Sequence, residues 1–245
     1  TVADHYSKTE ADTLLAAKSP LASPVFTGNV GIGGTPTRNL LVKGASTEAS
    51  LLLQNSSTGV TSTDGVLLQS NSNNSYLWNY ESGDMILATN NAERLRINAA
   101  GIVTKPYQPA FQARTAQVAN LPINQSYPVP YGIEVFDQNS DFNPSTYIFT
   151  APVTGKYQLN AHIYLNNVVV ASGYVELFLI TSNKTYYSII SVNGFDTDLL
   201  YFTIPHTVLA DMDAGDTAKV NLWLASGSQT ADLQAETYFS GSLIC

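Results

Sequence analysis

Aromatic residues are divided very unevenly along this chain, and the division limits what each part can fold into. Residues 1–104 hold five of them (Tyr6, Phe26, Tyr76, Trp78 and Tyr80), whereas residues 105–245 hold twenty. Each ring buries about 150–250 Å² and supplies the bulk of a packed core. A hundred residues with so few rings make a poor monomeric domain, so the first part is expected to need partner chains and the second to fold as a globule. Charged residues are only 12% of the chain, against about 25% in an ordinary domain, yet the mean hydropathy is −0.01. Ser, Thr and Asn supply the missing polarity. They compete with the helix backbone for hydrogen bonds, so the composition is one of strands and turns.

The net charge of −8 argues against a nucleic-acid partner, whose footprint is a basic stripe. No apolar run approaches the roughly 18 residues of a membrane span, so no membrane insertion is expected. The lone Cys245 excludes an intrachain disulfide and a cysteine-based zinc site. The chain starts at Thr1 without a signal peptide, which fits a start inside a longer or processed chain.

The first part opens on Ser7-Lys8-Thr9-Glu10, a capping box, with Tyr6 and Ala11 placed as its hydrophobic staple. A helix ending at Pro20 is expected; it reads either as a frayed terminus or as one strand of a short oligomeric coiled coil. With the extended linker that follows, it makes up residues 1–24. Gly31, Gly33 and Gly34 do not form a phosphate loop, because no Lys-Ser/Thr closes the motif and Pro36 interrupts it. Short apolar runs then recur at Leu40–Val42, Leu51–Leu53, Val66–Leu68, Met85–Leu87 and Leu95–Ile97, between polar turns. Strands this short cannot close a large core in one chain. They suit an intertwined β-rich shaft over 25–104, in which identical chains supply the missing neighbours. An ordinary small β-domain, or partial disorder at Asn55–Asp64 and Ser70–Ser75, are the alternatives.

The stretch Tyr6-Ser7-Lys8-Thr9-Glu10-Ala11-Asp12, the run Leu14–Lys18, and Ala22-Ser23-Pro24-Val25-Phe26-Thr27-Gly28 resemble tail-fibre proteins of tailed bacteriophages. Asn29–Gly33, Ala92-Glu93-Arg94-Leu95-Arg96-Ile97 and Gly101-Ile102-Val103 resemble fibre shafts. The resemblance covers most of residues 6–104. It implies a virion component anchored through other tail proteins on its N-terminal side.

After Val103 the alternation becomes long and regular. Tyr157, Leu159, Ala161, Ile163 and Leu165 share one face, with Gln158, Asn160 and His162 on the other. Val175, Leu177 and Leu179 alternate with Tyr174, Glu176, Phe178 and Ile180, so that strand is apolar on both faces. Val220, Leu222 and Leu224 repeat the pattern. Eight to ten strands fit between Phe111 and Leu243, which suggests a jelly roll. Phe111, Phe136-Asp137, Phe149-Thr150-Ala151-Pro152-Val153-Thr154-Gly155-Lys156-Tyr157, Ala214-Gly215-Asp216 and Phe239-Ser240-Gly241-Ser242-Leu243 are similar to the globular head of the C1q/tumour-necrosis-factor superfamily. Two departures, Tyr147 where that family usually carries Gly and a short stretch after Phe136, fall on the loop 138–147. The resemblance implies a compact homotrimer that binds ligands through loops and intersubunit grooves, without catalysis. A shaft that cannot fold alone, joined to a head with doubly apolar strands, independently calls for a symmetric oligomer.

Candidate sites are few. Asp211, Asp213 and Asp216 have a spacing that suggests Ca²⁺, but the twelfth position of that loop is Leu222 rather than Glu. A polar turn with Gly215 at positive φ competes with the metal reading. Asp196 and Asp198 form a second weak metal candidate. The histidines His5, His162 and His206 are scattered, and no Gly-x-Ser-x-Gly elbow is present. Tyr174, Tyr186, Tyr187, Phe195 and Trp223 are candidates for a saccharide platform, since flat rings stack on sugars while neighbouring Asn and Asp bond the hydroxyls. The competing reading makes each of them core or subunit interface.

The expectation is therefore a mainly β, trimeric fibre: short N-terminal helix, intertwined β-rich shaft and C-terminal C1q-like jelly-roll head (105–245). It is expected to be a non-enzymatic virion tail fibre that binds a host cell-surface glycan or protein. A purely structural virion fibre or connector, a glycan-degrading tail spike and a secreted bacterial adhesin are the alternatives.

Overall fold

The structure is a computed structural model that describes Thr9 and residues 30–32, 40–44, 46–225 and 231–245. The expected helix at 7–18 and the linker after it lie outside the described residues, apart from Thr9, whose backbone is helical. The chain divides into two compact units, Thr1–Leu87 with Arg96–Val103, and Ala88–Leu95 with Thr104–Cys245.

In the first unit β1 (Val30–Ile32) pairs in parallel with β2 (Leu40–Val42). The strands β3 (Glu48–Leu53), β4 (Val66–Asn71) and β5 (Asn74–Asn79) form an antiparallel sheet. β6 (Met85–Thr89), β7 (Ala92–Ile97) and β8 (Val103–Thr104) form a further sheet whose residues are divided between the two units. Each apolar run read from the sequence is a strand, and β5 adds one that the short-run pattern does not reveal. Neither segment suspected of disorder behaves so. Ser70–Ser75 is the β4–β5 hairpin, with Ser72 at φ 52°. In Asn55–Asp64, Asn55 Oδ1 accepts from the Ser57 amide at 2.8 Å and Asp64 Oδ2 from the Thr61 amide at 2.8 Å.

The register of the β3–β5 sheet lines Leu51, Leu68 and Leu77 across one face and Leu52, Leu67 and Trp78 across the other. Leu51, Leu68, Leu77 and Trp78 are all exposed. Among the described residues before Pro109, only Gly65 is buried. A single copy of this sheet therefore leaves apolar side chains in water on both faces.

The second unit is a β-sandwich. Its strands are β9 (Ala110–Arg114), β10 (Ser126–Pro128), β11 (Ile133–Asp137), β12 (Phe142–Asn143), β13 (Ile148–Thr150) and β14 (Gly155–Val168). They continue with β15 (Tyr174–Thr181), β16 (Thr185–Ser191), β17 (Leu199–Met212), β18 (Thr217–Ala225), β19 (Asp232–Leu233) and β20 (Tyr238–Leu243). One sheet has the order β11-β9-β20-β14-β17 with β19 on β14, the other β12-β13-β18-β15-β16 with β10 on β18. These twelve strands exceed the eight to ten expected, because β10, β12 and β19 are only two or three residues long and show no alternation to read.

The core follows the periodicity. Tyr157, Leu159, Ala161, Ile163 and Leu165 of β14 are buried, as are Val175, Leu177 and Leu179 of β15 and Val220, Leu222 and Leu224 of β18. Each fully buried side chain of this kind contributes about 1.5–3 kcal/mol. At one end Phe111 stacks on Phe149 (centroids 4.7 Å apart) and Phe142 (5.0 Å), with Phe239 edge-on at 5.0 Å. Gly241 makes this possible, since a Cβ there would meet Phe111 Cε1 and Leu159 Cδ2 at 2.7 Å. The outer strand β17 pairs only with β14. Pro205, near its middle, has no N–H to offer another strand, which guards that open edge.

Tyr147 is at φ +63°, in the left-handed region that favours glycine. Its amide donates to Asn143 O at 2.7 Å, closing the turn, and its side chain packs against the core. Ring burial offsets backbone strain of about 1–3 kcal/mol. Tyr147→Gly, which loses the ring but relaxes the backbone, should change stability by no more than about 1 kcal/mol. Tyr147→Val keeps the strain, adds β-branching and should cost about 2 kcal/mol or more in denaturant unfolding.

The two sheets are also joined by a polar contact. His206 on β17 faces inward, opposite Ala161, and its Nδ1 lies 2.5 Å from Ser188 Oγ of β16. Its Nε2 is buried without a partner, and burial holds the imidazole below its ordinary value of 6.5. The charged groups of the adjoining strands, Lys156, His162, Glu176 and Asp211, pair at outward positions and do not face it. The unfolded chain therefore takes up the His206 proton first as pH falls. The stability this residue contributes is complete above 6.5 and is lost as pH drops below it towards the depressed folded value. His206→Asn should flatten this part of the stability–pH curve, measured by urea unfolding between pH 7 and pH 5.

Candidate functional site

Strand register decides which of the candidate aromatic residues can act together. Inward positions of β15 are Val175, Leu177 and Leu179, so Tyr174, Glu176, Phe178 and Ile180 point outward. Phe178 is paired with Tyr187 on β16, and Glu176 with Ile189 on β16 and Trp223 on β18. Tyr174, Tyr187 and Trp223 therefore share the outer face of one sheet, around Glu176. Tyr187 and Phe178 meet edge to face with centroids 5.5 Å apart, and Tyr187 and Ile189 are more than half exposed, at 56% and 58%. Sequence reading identifies Phe178 and Glu176 as outward residues of a doubly apolar strand but not as neighbours of Tyr187. Ile189 carries no signal of its own, because Ile189-Ile190 does not show which of the two faces the core.

Polar atoms on this face are partly unsatisfied. Asn221, only 8% exposed, donates through Nδ2 to Ser126 Oγ at 2.8 Å. Its Oδ1 and the Trp223 Nε1 are buried without a partner. Trp223 is half-buried, and Tyr174 and Tyr187 are the rings of this face most open to a ligand.

The other two candidates lie elsewhere. Tyr186 is paired with inward-facing Leu179 and is half-buried against the core, with Lys184 Nζ 5.0 Å from its ring centroid. It lines a cleft of about 360 Å³ together with Asn183, Lys184, Asp211 and Asp213. Phe195 follows the 3₁₀ turn Val192–Gly194 and meets Phe202 edge-on at 6.0 Å. The five aromatics are therefore not one platform: three share a face, one lines a cleft and one packs on β17.

The acidic candidates are engaged by the protein. Asp216 Oδ2 accepts from the Asp213 amide at 2.9 Å and from Asn183 Nδ2 at 2.6 Å. Thr154 Oγ1 lies 3.4 Å from Asp213 Oδ1, and Lys156 pairs with Asp211 at 2.5 Å. Gly215 takes φ +93°, as the turn reading requires. Asp198 Oδ1 accepts from the Val170 amide at 2.9 Å, and Asp196 is exposed. Among the described residues no three acidic, histidine or cysteine side chains are grouped to hold a metal ion. Asp213 and Asp216 bond within the turn, and Asp211 pairs with Lys156 across β14 and β17.

His162 is on the outer face of the other sheet, with Nδ1 3.2 Å from Glu236 O and its ring 6.4 Å from Tyr238. It is one register step from His206 but on the opposite side of β14 and β17.

Comparison with known proteins settles the fold. Residues 110–244 match the C1q domain. The chain belongs to the C1q domain family. Among solved structures it is similar to the globular domain of zebrafish complement 1qA protein, at 19% identity over 56% of this chain and 98% of that one, with a TM-score of 0.44. It is also similar to murine APRIL (11% identity, 56% and 99% covered, TM-score 0.42) and to Eiger TNF from S. frugiperda (13%, 56% and 91%, 0.42). No curated protein matches the chain. C1q domains are typically non-enzymatic binding modules, and no catalytic family is indicated. In this C1q domain the run Phe149–Tyr157 turns from β13 into β14, where the Tyr157 hydroxyl donates to Val153 O at 2.8 Å.

If Asp216 serves the turn, Asp216→Ala should lower stability by about 1–2 kcal/mol through loss of two hydrogen bonds to a carboxylate. Added Ca²⁺ should leave the melting temperature of the wild-type chain unchanged. A calcium-dependent rise that Asp216→Ala abolishes would establish a metal site there.

Proposed function

We propose that the chain is a homotrimeric tail-fibre component of a tailed bacteriophage, located on the virion, whose C1q domain attaches the particle to its host. The observation that carries this is the β3–β5 sheet, which exposes leucines or tryptophan on both faces while nothing but Gly65 is buried among the described residues before Pro109. Sister chains around a common axis would cover those faces. The fibre-like runs at 6–33 and 92–103 support a shaft, held at its N-terminal side by other virion proteins.

In this reading the head binds a cell-surface glycan or protein without chemistry. The exposed rings of Tyr174 and Tyr187 and the cleft beside Tyr186 offer flat faces next to hydrogen-bonding side chains, the combination that holds sugars. Single contacts of this size are weak. Three heads per fibre and several fibres per particle raise the effective concentration and turn them into firm attachment.

Native mass measurement of residues 1–245 should give three times 26.3 kDa. The purified trimer should compete with whole particles for adsorption to susceptible cells. A monomer would remove the architecture. A trimer that leaves adsorption untouched would make the fibre a structural connector, and new reducing ends on host polysaccharide would make it a spike enzyme.

A further inference from the structure

The head contains a second concave site, at the end where β9 begins and β20 finishes, that none of the aromatic candidates touches. It is a cleft of about 640 Å³, within the range that encloses a small ligand. Its walls come from three separate segments, 107–109, 138–141 and 152–153, with Leu243 of β20.

These walls are braced to one another. Gln108 Nε2 donates to Leu243 O at 3.0 Å, Gln138 Nε2 to Lys105 O at 2.7 Å and Asn139 Nδ2 to Tyr107 O at 3.1 Å. The Asp137 carboxylate accepts from the amides of Asp141 (3.2 Å) and Phe142 (2.8 Å), fixing the turn between. A cavity whose loops are already bonded loses little entropy when a ligand enters.

The lining has two characters. Tyr107, Pro109, Val153 and Leu243 supply apolar surface, and the half-exposed Tyr107 ring is held by the Arg94 guanidinium 4.3 Å from its centroid. Gln138, Asn139, Ser140 and Asp141 supply polar groups. Because each bonded amide turns its nitrogen to a backbone carbonyl, its oxygen is left to accept from elsewhere. Among the described residues no lysine or arginine lines the cleft, and Arg94 also donates to Thr89 Oγ1 at 2.9 Å. Asp141 is pushed up by burial and by Asp137, with Asn139 pulling the other way, and its Oδ2 is buried without a partner. An anion set here would face the Asp141 carboxylate with no cationic side chain among the lining residues. A wholly apolar ligand would leave the amide oxygens without hydrogen-bond donors.

We infer that this cleft is a binding subsite for a neutral saccharide unit, one ring lying against Tyr107 and Val153 and its hydroxyls donating to the Gln138 and Asn139 oxygens. The inference rests on the reading of the head as a glycan-binding module, which the mass and adsorption measurements test separately.

Saturation-transfer NMR on the full chain tests it with glucose, galactose and N-acetylglucosamine as neutral probes, N-acetylneuraminic acid as the anionic one and glucosamine as the cationic one. At least one neutral sugar should bind, in about the millimolar range, and the acidic sugar at least about tenfold more weakly. Tyr107→Ala should weaken the neutral sugar about tenfold, and Val153→Trp, which fills the mouth, should abolish its signal, while both melt with the wild type. The cleft variants are made in a Tyr187→Ala background, which removes the other open sugar-facing ring, and Leu200→Ala, at the end of β17 away from the cleft, should leave the signal unchanged. Binding by none of the neutral sugars, binding only by glucosamine, equal binding of the acidic sugar, or a neutral signal that survives both cleft variants would overturn the inference. Failure of this kind in a chain that still forms trimers and blocks adsorption would remove the subsite and leave the proposed function standing.

Discussion

Burial of apolar surface is the constraint on which the rest of this molecule turns, and the two units meet it in opposite ways. The second unit buries its rings within itself: Phe111, Phe142, Phe149 and Phe239 touch one another across two sheets. The first has sheets of three strands or fewer, and a three-stranded sheet has too little width to fold over its own side chains. Leu51, Leu68 and Leu77 make a continuous row that nothing among the described residues covers. Exposed apolar rows of this kind mark interaction sites or aggregation hazards, and symmetric association is the economical way to remove the hazard.

Inside the sandwich, close packing explains residues that otherwise look arbitrary. Gly241 stands where any side chain would collide with Phe111 and Leu159, so the run Phe239-Ser240-Gly241 is set by the thickness of the core. Asn167, at φ +54°, shifts the alternation of β14 so that Leu165 and Val168 both reach the interior. The His206–Ser188 contact has the reverse character. It places a titratable ring between the sheets where a hydrocarbon would serve stability better, and leaves one nitrogen without a partner.

How far the sequence could be read depended on length of pattern. Alternating apolar residues, five in β14 and three in β18, named their inward faces, because a period of two over that span has no competing explanation; β15 reads as apolar on both faces, and only pairing shows that Val175, Leu177 and Leu179 are the inward set. The two-residue strands β12 and β19 were invisible, since two residues define no period. Of the candidate site, Tyr174, Tyr187 and Trp223 came together because pairing of β15 with β16 and β18 put them on one face. Tyr186 could not join them, being adjacent to Tyr187 and so turned to the other side of the strand. Phe195 is in a loop, where no periodicity says what its ring will meet.

The braced cleft at Tyr107 was illegible for a different reason. Its walls are 107–109, 138–141, 152–153 and Leu243, segments that alternate with strands of both sheets and share no local motif. Gln108 and Leu243 are joined by a bond that spans 135 positions. Only the antiparallel pairing of β9 with β20, which sets Ala110 opposite Ser242, brings the two ends of the domain side by side. The amides that line the cleft look from the sequence like ordinary loop residues, and their acceptor character arises when the fold commits each nitrogen to a particular carbonyl. Loop residues on a rigid sandwich are the usual source of recognition, and here the scaffold determines which side of each amide a ligand would meet.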